Sequence, residues 1–98
     1  MDVELLVIAD CPHASPVLRL VREALADLGL AGVQPRVTVV SNAAEPGFAG
    51  SPTILIDGTD PFAPPVPVSG LACRVYSGPS GLPSPASMRA ALAEAMAR

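Results

Sequence analysis

From Val3 to Ala9 every residue except Glu4 is apolar, and the run ends in Asp10-Cys11-Pro12-His13-Ala14 before Ser15-Pro16 opens a segment of helical spacing. A run apolar at both alternating positions is what a strand buried on both faces requires, so Val3 to Ala9 predicts a central strand. A cysteine at the carboxyl end of such a strand, ahead of a helix amino terminus, lies where α/β folds place reactive groups. The sheet edge is open there, and unpaired helix N–H groups can stabilise an anion. Cys11 is therefore the leading candidate for chemistry.

The rest of the chain reads as elements that support this one. Ser15 is the expected helix cap and Pro16 the first helical residue, where a missing N–H costs nothing. A start at Pro12 would make Cys11 the cap but would put Pro16 inside the helix, against the preceding turn. Val17, Leu18, Val21, Leu25 and Leu28 recur at helical intervals, and Gly29 is a stop signal. Gln34 to Val40 alternates, Arg36 and Thr38 against Val37 and Val39, which predicts an edge strand with one solvated face. Strand, helix and strand then form a right-handed parallel unit. Ser41 to Ala49 is small and polar and reads as a loop, and Ile54-Leu55-Ile56 is a second doubly buried strand.

Asp57 to Gly70 contains Pro61, Pro64, Pro65 and Pro67, a density that excludes regular hydrogen-bonded structure. Leu71 to Ser77 alternates again, Cys73 and Val75 against Arg74 and Tyr76, and predicts the opposite sheet edge with Cys73 as a small core residue. Ser84-Pro85 repeats the cap-and-proline start, and Met88, Leu92 and Met96 with Ala91 and Ala95 form the stripe of a closing helix. The expected fold is α/β of the order β-α-β-β-β-α: a four-stranded mixed sheet in the order 2-1-3-4 with the helices packed on it, one domain over residues 1–98.

Composition narrows the function classes. Six basic against nine acidic residues, a net charge of −3, provide no electrostatic footprint for nucleic acid or an anionic membrane. No apolar run is long enough to span a bilayer or serve as a signal segment, so the chain reads as cytoplasmic. In a reducing compartment Cys11 and Cys73 are expected as free thiols, and their spacing matches no zinc-ligand pattern. No metal or bound cofactor is expected.

Cys11-Pro12-His13-Ala14 resembles the active-site turn of the thioredoxin superfamily, and Gly50-Ser51-Pro52-Thr53 resembles its cis-proline segment before a strand. With Val3-Glu4-Leu5-Leu6, Asp57-Gly58-Thr59-Asp60-Pro61-Phe62 and Cys73-Arg74-Val75-Tyr76, most of the chain is similar to the small thioredoxin-like group known as DF-family (seleno)proteins. The resemblance implies a thioredoxin-like fold, a thiol site at Cys11, and a cis Ser51–Pro52 bond. It also implies that Pro12, Ser51, Pro52 and Thr53 contact an extended peptide or a thiol-bearing substrate. Without the resemblance, Pro52 reads as a trans proline at a strand start, because only about 5–6% of X–Pro bonds in folded proteins are cis. No defined activity comes with the group.

A thiolate is the reactive form of cysteine, and a helix amino terminus or a neighbouring cation favours it. His13 can be that cation or a proton donor, or simply a polar loop residue. Ala14 replaces the second cysteine of the dithiol pattern, so a redox cycle here is monothiol and needs an outside thiol such as glutathione. The sequence thus points to a monothiol oxidoreductase or thiol-exchange protein in which Cys11 is a peroxidatic or glutathione-exchanging thiol, acting on a small or protein-borne thiol. A non-catalytic binding module of the same fold is the alternative, and capture of a soft metal or organomercurial is a third, although Cys11 and His13 alone are too few for a closed site. A Cys11–Cys73 bridge is not expected: strands one and four are two places apart, roughly 10 Å, beyond the ~7 Å a disulfide tolerates. The Asp57 to Phe62 turn receives no chemical role.

Overall fold

The computed structural model describes residues 1–42, 44–63, 74–76, 78 and 81–97. Its elements are β1 (Val3–Val7), α1 (Ala14–Asp27), β2 (Arg36–Val39), β3 (Thr53–Ile56) and α2 (Pro85–Met96). The strands form one mixed sheet in the order β2-β1-β3. β1 runs parallel to β2, with Leu5 opposite Val37 and Val7 opposite Val39, and antiparallel to β3, with Val3 opposite Ile56 and Leu6 opposite Thr53. The doubly apolar run thus occupies the centre, and every residue of β3 is buried as well.

Of the expected fourth strand, Leu71, Ala72, Cys73 and Ser77 lie outside the described residues, and Arg74 to Tyr76 is not part of a strand. The Arg74 N–H nevertheless donates to the Ser51 carbonyl at 2.7 Å, which puts this segment beside the start of β3. The sheet is three-stranded rather than four-stranded over the described residues. Residues 64–70 of the proline-rich loop also lie outside them. Its first part turns sharply at Asp57 and Gly58, both with positive φ, and returns through the Thr59–Ile56 bridge.

Both helices contribute to one core with β1 and β3. Val3, Leu5, Val7, Ile54 and Ile56 meet Val17, Val21, Leu25, Met88 and Leu92. On the opposite sheet face, Leu6, Leu55 and Val40 form a smaller cluster under Phe48 from the 41–50 loop. No helix among the described residues is long and apolar enough to cross a membrane.

The helix ends show how local chemistry sets the boundaries. α1 ends as a Schellman motif: Leu30 N–H donates to the Leu25 carbonyl at 2.7 Å, Gly29 N–H donates to that of Ala26 at 3.0 Å, and Gly29 takes the left-handed φ of 75°. α2 starts with Ser84 accepting the Ser87 N–H on its hydroxyl at 3.1 Å, and with Pro85 first. The start of α1 corrects the Ser15 cap. The helix begins at Ala14 with His13 as cap, which puts Pro16 third. Proline is tolerated there because its missing N–H is one of the four a helix leaves unpaired. The carbonyl its ring would strike in mid-helix belongs to Pro12, ahead of the helix.

Three face assignments are also corrected. Val37 and Val39, expected on the buried side of β2, are 48% and 62% exposed, because among the described residues the core that the helices cover is built on β1 and β3 and includes no residue of β2. Arg74 and Tyr76, expected to face outward, are each only 7% exposed, and Val75 between them is 79% exposed. The stripe of α2 stops at Ala95, leaving Met96 at the surface.

Candidate functional site

After β1 the chain reverses at Asp10, which adopts the left-handed backbone at φ 59°, a conformation that aspartate tolerates better than most residues. This reversal carries Cys11 off the end of the strand. Cys11 is half-buried and packs against the rim of the main core. Its carbonyl accepts the Ala14 N–H at 3.2 Å, and the His13 carbonyl accepts the Val17 N–H at 3.0 Å. Because α1 begins at Ala14, Cys11 is nearer the helix terminus than a Ser15-Pro16 start allows, and the field of a helix end acts over about that range. Pro12 is exposed and His13 half-buried. The His13 Nδ1 atom is itself buried and has no hydrogen-bond partner among the described residues.

The Ser51–Pro52 peptide is cis. The Ser51 hydroxyl accepts the Ile8 N–H at 2.9 Å, which ties this segment to the end of β1 and brings it to the same end of the sheet as the Cys11 loop. Thr53 closes a second local ring, its hydroxyl donating to the Gly50 carbonyl and accepting the Ala49 N–H at 2.9 Å. Ser51, Pro52 and Thr53 are nevertheless fully buried. The Ser51 carbonyl is taken by Arg74 and its hydroxyl by Ile8. These three of the four residues expected to line a substrate surface therefore form part of the wall behind the site, and Cys11, Pro12 and His13 are the members of the expected set that reach solvent.

Behind that wall is a group to which the sequence alone assigns no role. Arg74 pairs with Asp60 at 2.7 Å, with both side chains nearly buried. It also donates to the Phe62 carbonyl and lies 4.5 Å over the Tyr76 ring. Phe62 and Tyr76 meet edge to face at 5.6 Å, and the Tyr76 hydroxyl donates to the Pro52 carbonyl. Burial pushes the Tyr76 phenol well above its usual pKa; Arg74 opposes this and Asp60 adds to it. The signal was present in sequence as an aspartate-proline-phenylalanine turn and an arginine alternating with a tyrosine, but nothing local joins the two.

Among the described residues no three His, Cys, Asp or Glu side chains converge to hold a metal. A groove of ≈ 280 Å³ between α1 and the start of α2 is lined by Pro16, Leu20, Leu82, Pro83 and Pro85, with Arg19 and Glu23 beside them, and contains no residue of the expected site. Cys73 lies outside the described residues. No family model matches the chain, and neither the curated proteins nor the solved structures yield a match.

Proposed function

We propose that this chain is a thioredoxin-like domain in which Cys11 acts as a monothiol centre exchanging disulfides with a small thiol of the glutathione class, in a reducing cytoplasmic setting. One observation favours a small partner over an extended peptide: Ser51 is sealed, its carbonyl bonded to Arg74 and its hydroxyl to Ile8, while Cys11 keeps access to solvent. An extended peptide would need the Ser51 main chain as a pairing edge. A small disulfide needs only the sulfur of Cys11. The binding-module reading depends on that same edge and is weaker for the same reason.

The cycle balances without a second protein thiol. The Cys11 thiolate attacks the glutathione-type sulfur of an unsymmetrical small disulfide, forming a protein mixed disulfide with that half and releasing the other half as a thiolate, which takes up a proton. A second small thiolate then attacks the outer sulfur, restores Cys11 and releases a symmetric disulfide. His13, two positions on with a buried and unpartnered Nδ1, is the group available to exchange that proton.

The test is mass spectrometry of native protein incubated with oxidised glutathione. A single adduct on Cys11, lost in Cys11→Ser and retained in Cys73→Ser, is expected, with slower adduct formation in His13→Ala. Modification of Cys11 only after unfolding would remove the proposal.

A further inference from the structure

β2 pairs with β1 on one side and, among the described residues, with nothing on the other. Val40 N–H donates to the Val7 carbonyl at 2.6 Å. Main-chain groups of successive strand residues point to opposite sides, so those of Arg36 and Thr38 also point toward β1, and those of Val37 and Val39 point out of the sheet. The same two residues carry the exposed apolar side chains of the strand, on the face that the helices cover elsewhere. Unpaired main-chain groups and uncovered apolar groups thus coincide at two positions.

Natural sheets usually blunt such an edge with charge. The one charge in β2 is Arg36, and its guanidinium is drawn to the other face by Asp2 at 3.1 Å and Glu4 at 3.5 Å. It does not screen the valines.

We propose that β2 pairs antiparallel with β2 of a second copy about a twofold axis at Thr38, joining the two sheets into one of six strands. Three twofold registers bring outward groups onto outward groups. An axis at Val37 sets Val39 opposite Pro35, which has no N–H and forfeits a bond. With the axis at Val39, Val37 lies opposite Ser41 and its side chain meets a hydroxyl. The axis at Thr38 sets Val37 opposite Val39 twice, completing four main-chain hydrogen bonds and closing four valines into one patch. Charge fits this register as well. Arg36 faces Val40 of the other copy, and the two arginines are four positions apart along the strands, about 13 Å. Two short strands bury less than the ~1,200 Å² of a stable interface, so the dimer is weak and reversible.

Register-specific cross-linking tests it, in a chain carrying Cys11→Ser and Cys73→Ser. Thr38 faces its own copy as a non-hydrogen-bonded pair, with Cα atoms about 4.5 Å apart, inside disulfide range. Under mild oxidation Thr38→Cys is expected to give a linked dimer at least tenfold faster than Val37→Cys or Val39→Cys, each of which lies two positions from its own counterpart. Equal rates for all three would overturn the register. Sedimentation velocity of the unaltered chain guards against a misfolded variant. Its mean mass is expected to rise toward two chains as concentration approaches the millimolar range, and Val39→Lys to abolish the rise. An unaltered chain that stays monomeric throughout would overturn the proposal.

Discussion

Two stretches of this chain share a pattern and part company in the fold. Arg36-Val37-Thr38-Val39 and Arg74-Val75-Tyr76 both open with arginine and alternate it with valine. In β2 the arginine forms a surface pair with Asp2, and the valines are left open at the sheet edge. In the second stretch the arginine and the tyrosine go inside and the valine is turned out. Intrinsic preference does not separate them, since it would send valine inward in both. The partners that the rest of the chain delivers do separate them. Asp60, the Phe62 carbonyl and the Pro52 carbonyl together satisfy Arg74 and Tyr76, and a buried charge is tolerated only when such partners are in place. Among the described residues nothing comparable is brought over β2.

The strongest way to break this comparison is to remove each arginine. Arg74→Met leaves the Asp60 carboxylate without its partner and the Phe62 carbonyl without a donor, and is expected to lower stability by about 3–5 kcal/mol. Arg36→Met, which removes a solvent-exposed pair, is expected to lower it by less than about 1 kcal/mol. Urea midpoints of the two variants, with the slope checked for two-state behaviour, measure the difference. Equal losses would mean that the Arg74–Asp60 pair is not buried in solution.

A smaller effect is expected at Tyr76. Tyr76→Phe keeps the ring against Phe62 and Arg74 but leaves the Pro52 carbonyl unpaired, at a cost of about 1–3 kcal/mol. The hydroxyl also sets a pH dependence. Burial raises the folded-state pKa above the unfolded value of about 10, so below that pH both states hold the proton and stability is complete. Above it the unfolded chain ionises first, and stability falls as pH rises toward the folded pKa. The chain has one tyrosine and no lysine, so in a background of Cys11→Ser and Cys73→Ser this alkaline fall belongs to Tyr76. Denaturant midpoints between pH 9 and about 12 are expected to decline in that background and to flatten when Tyr76→Phe is added to it. An unchanged slope in that variant would place the titration elsewhere.

The same contrast marks what could be read from the sequence. The central strand, the β2-β1-β3 order, the second buried strand, the Gly29 stop and the Ser84-Pro85 start were legible because each rests on neighbours in sequence: a run, a spacing or a cap. The start of α1 departs from the sequence signal, although it carries the same Ser-Pro pair as α2. At Ser84 the hydroxyl finds the Ser87 N–H, whereas the backbone at His13 and Ala14 is already helical, so Ser15 and Pro16 fall within the first turn. The faces of the two alternating stretches were not legible, because alternation reports that a segment has two sides and not which one the fold covers. At the candidate site, the place of Cys11 and His13 beyond the end of β1 could be read from the turn. The burial of Ser51, Pro52 and Thr53 could not, since it depends on Arg74 and Tyr76 arriving from more than twenty residues away.

The smallest expected effects sharpen the comparison most. Val39 and Val75 are the apolar residues that the two stretches turn outward, and hydrophobic stabilisation comes only from area removed from water. Val→Thr keeps the branched shape and the strand preference while replacing a methyl with a hydroxyl. At an inward position that hydroxyl would be desolvated at a cost of about 1–3 kcal/mol; at an outward one it stays hydrated. Val39→Thr and Val75→Thr are therefore each expected to change stability by no more than about 0.5 kcal/mol, measured at low micromolar concentration, where a weak pairing of β2 edges is dissociated. A loss above about 1 kcal/mol at Val75 would mean that a neighbouring segment covers it and that the Arg74 side of the strip is not the only buried one. A loss of that size confined to Val39, growing with protein concentration, would be the dimer registering in the same assay. If both stay near zero while Arg74→Met is costly, the placement of these two stretches follows from partners for the polar groups and not from the pull of the valines.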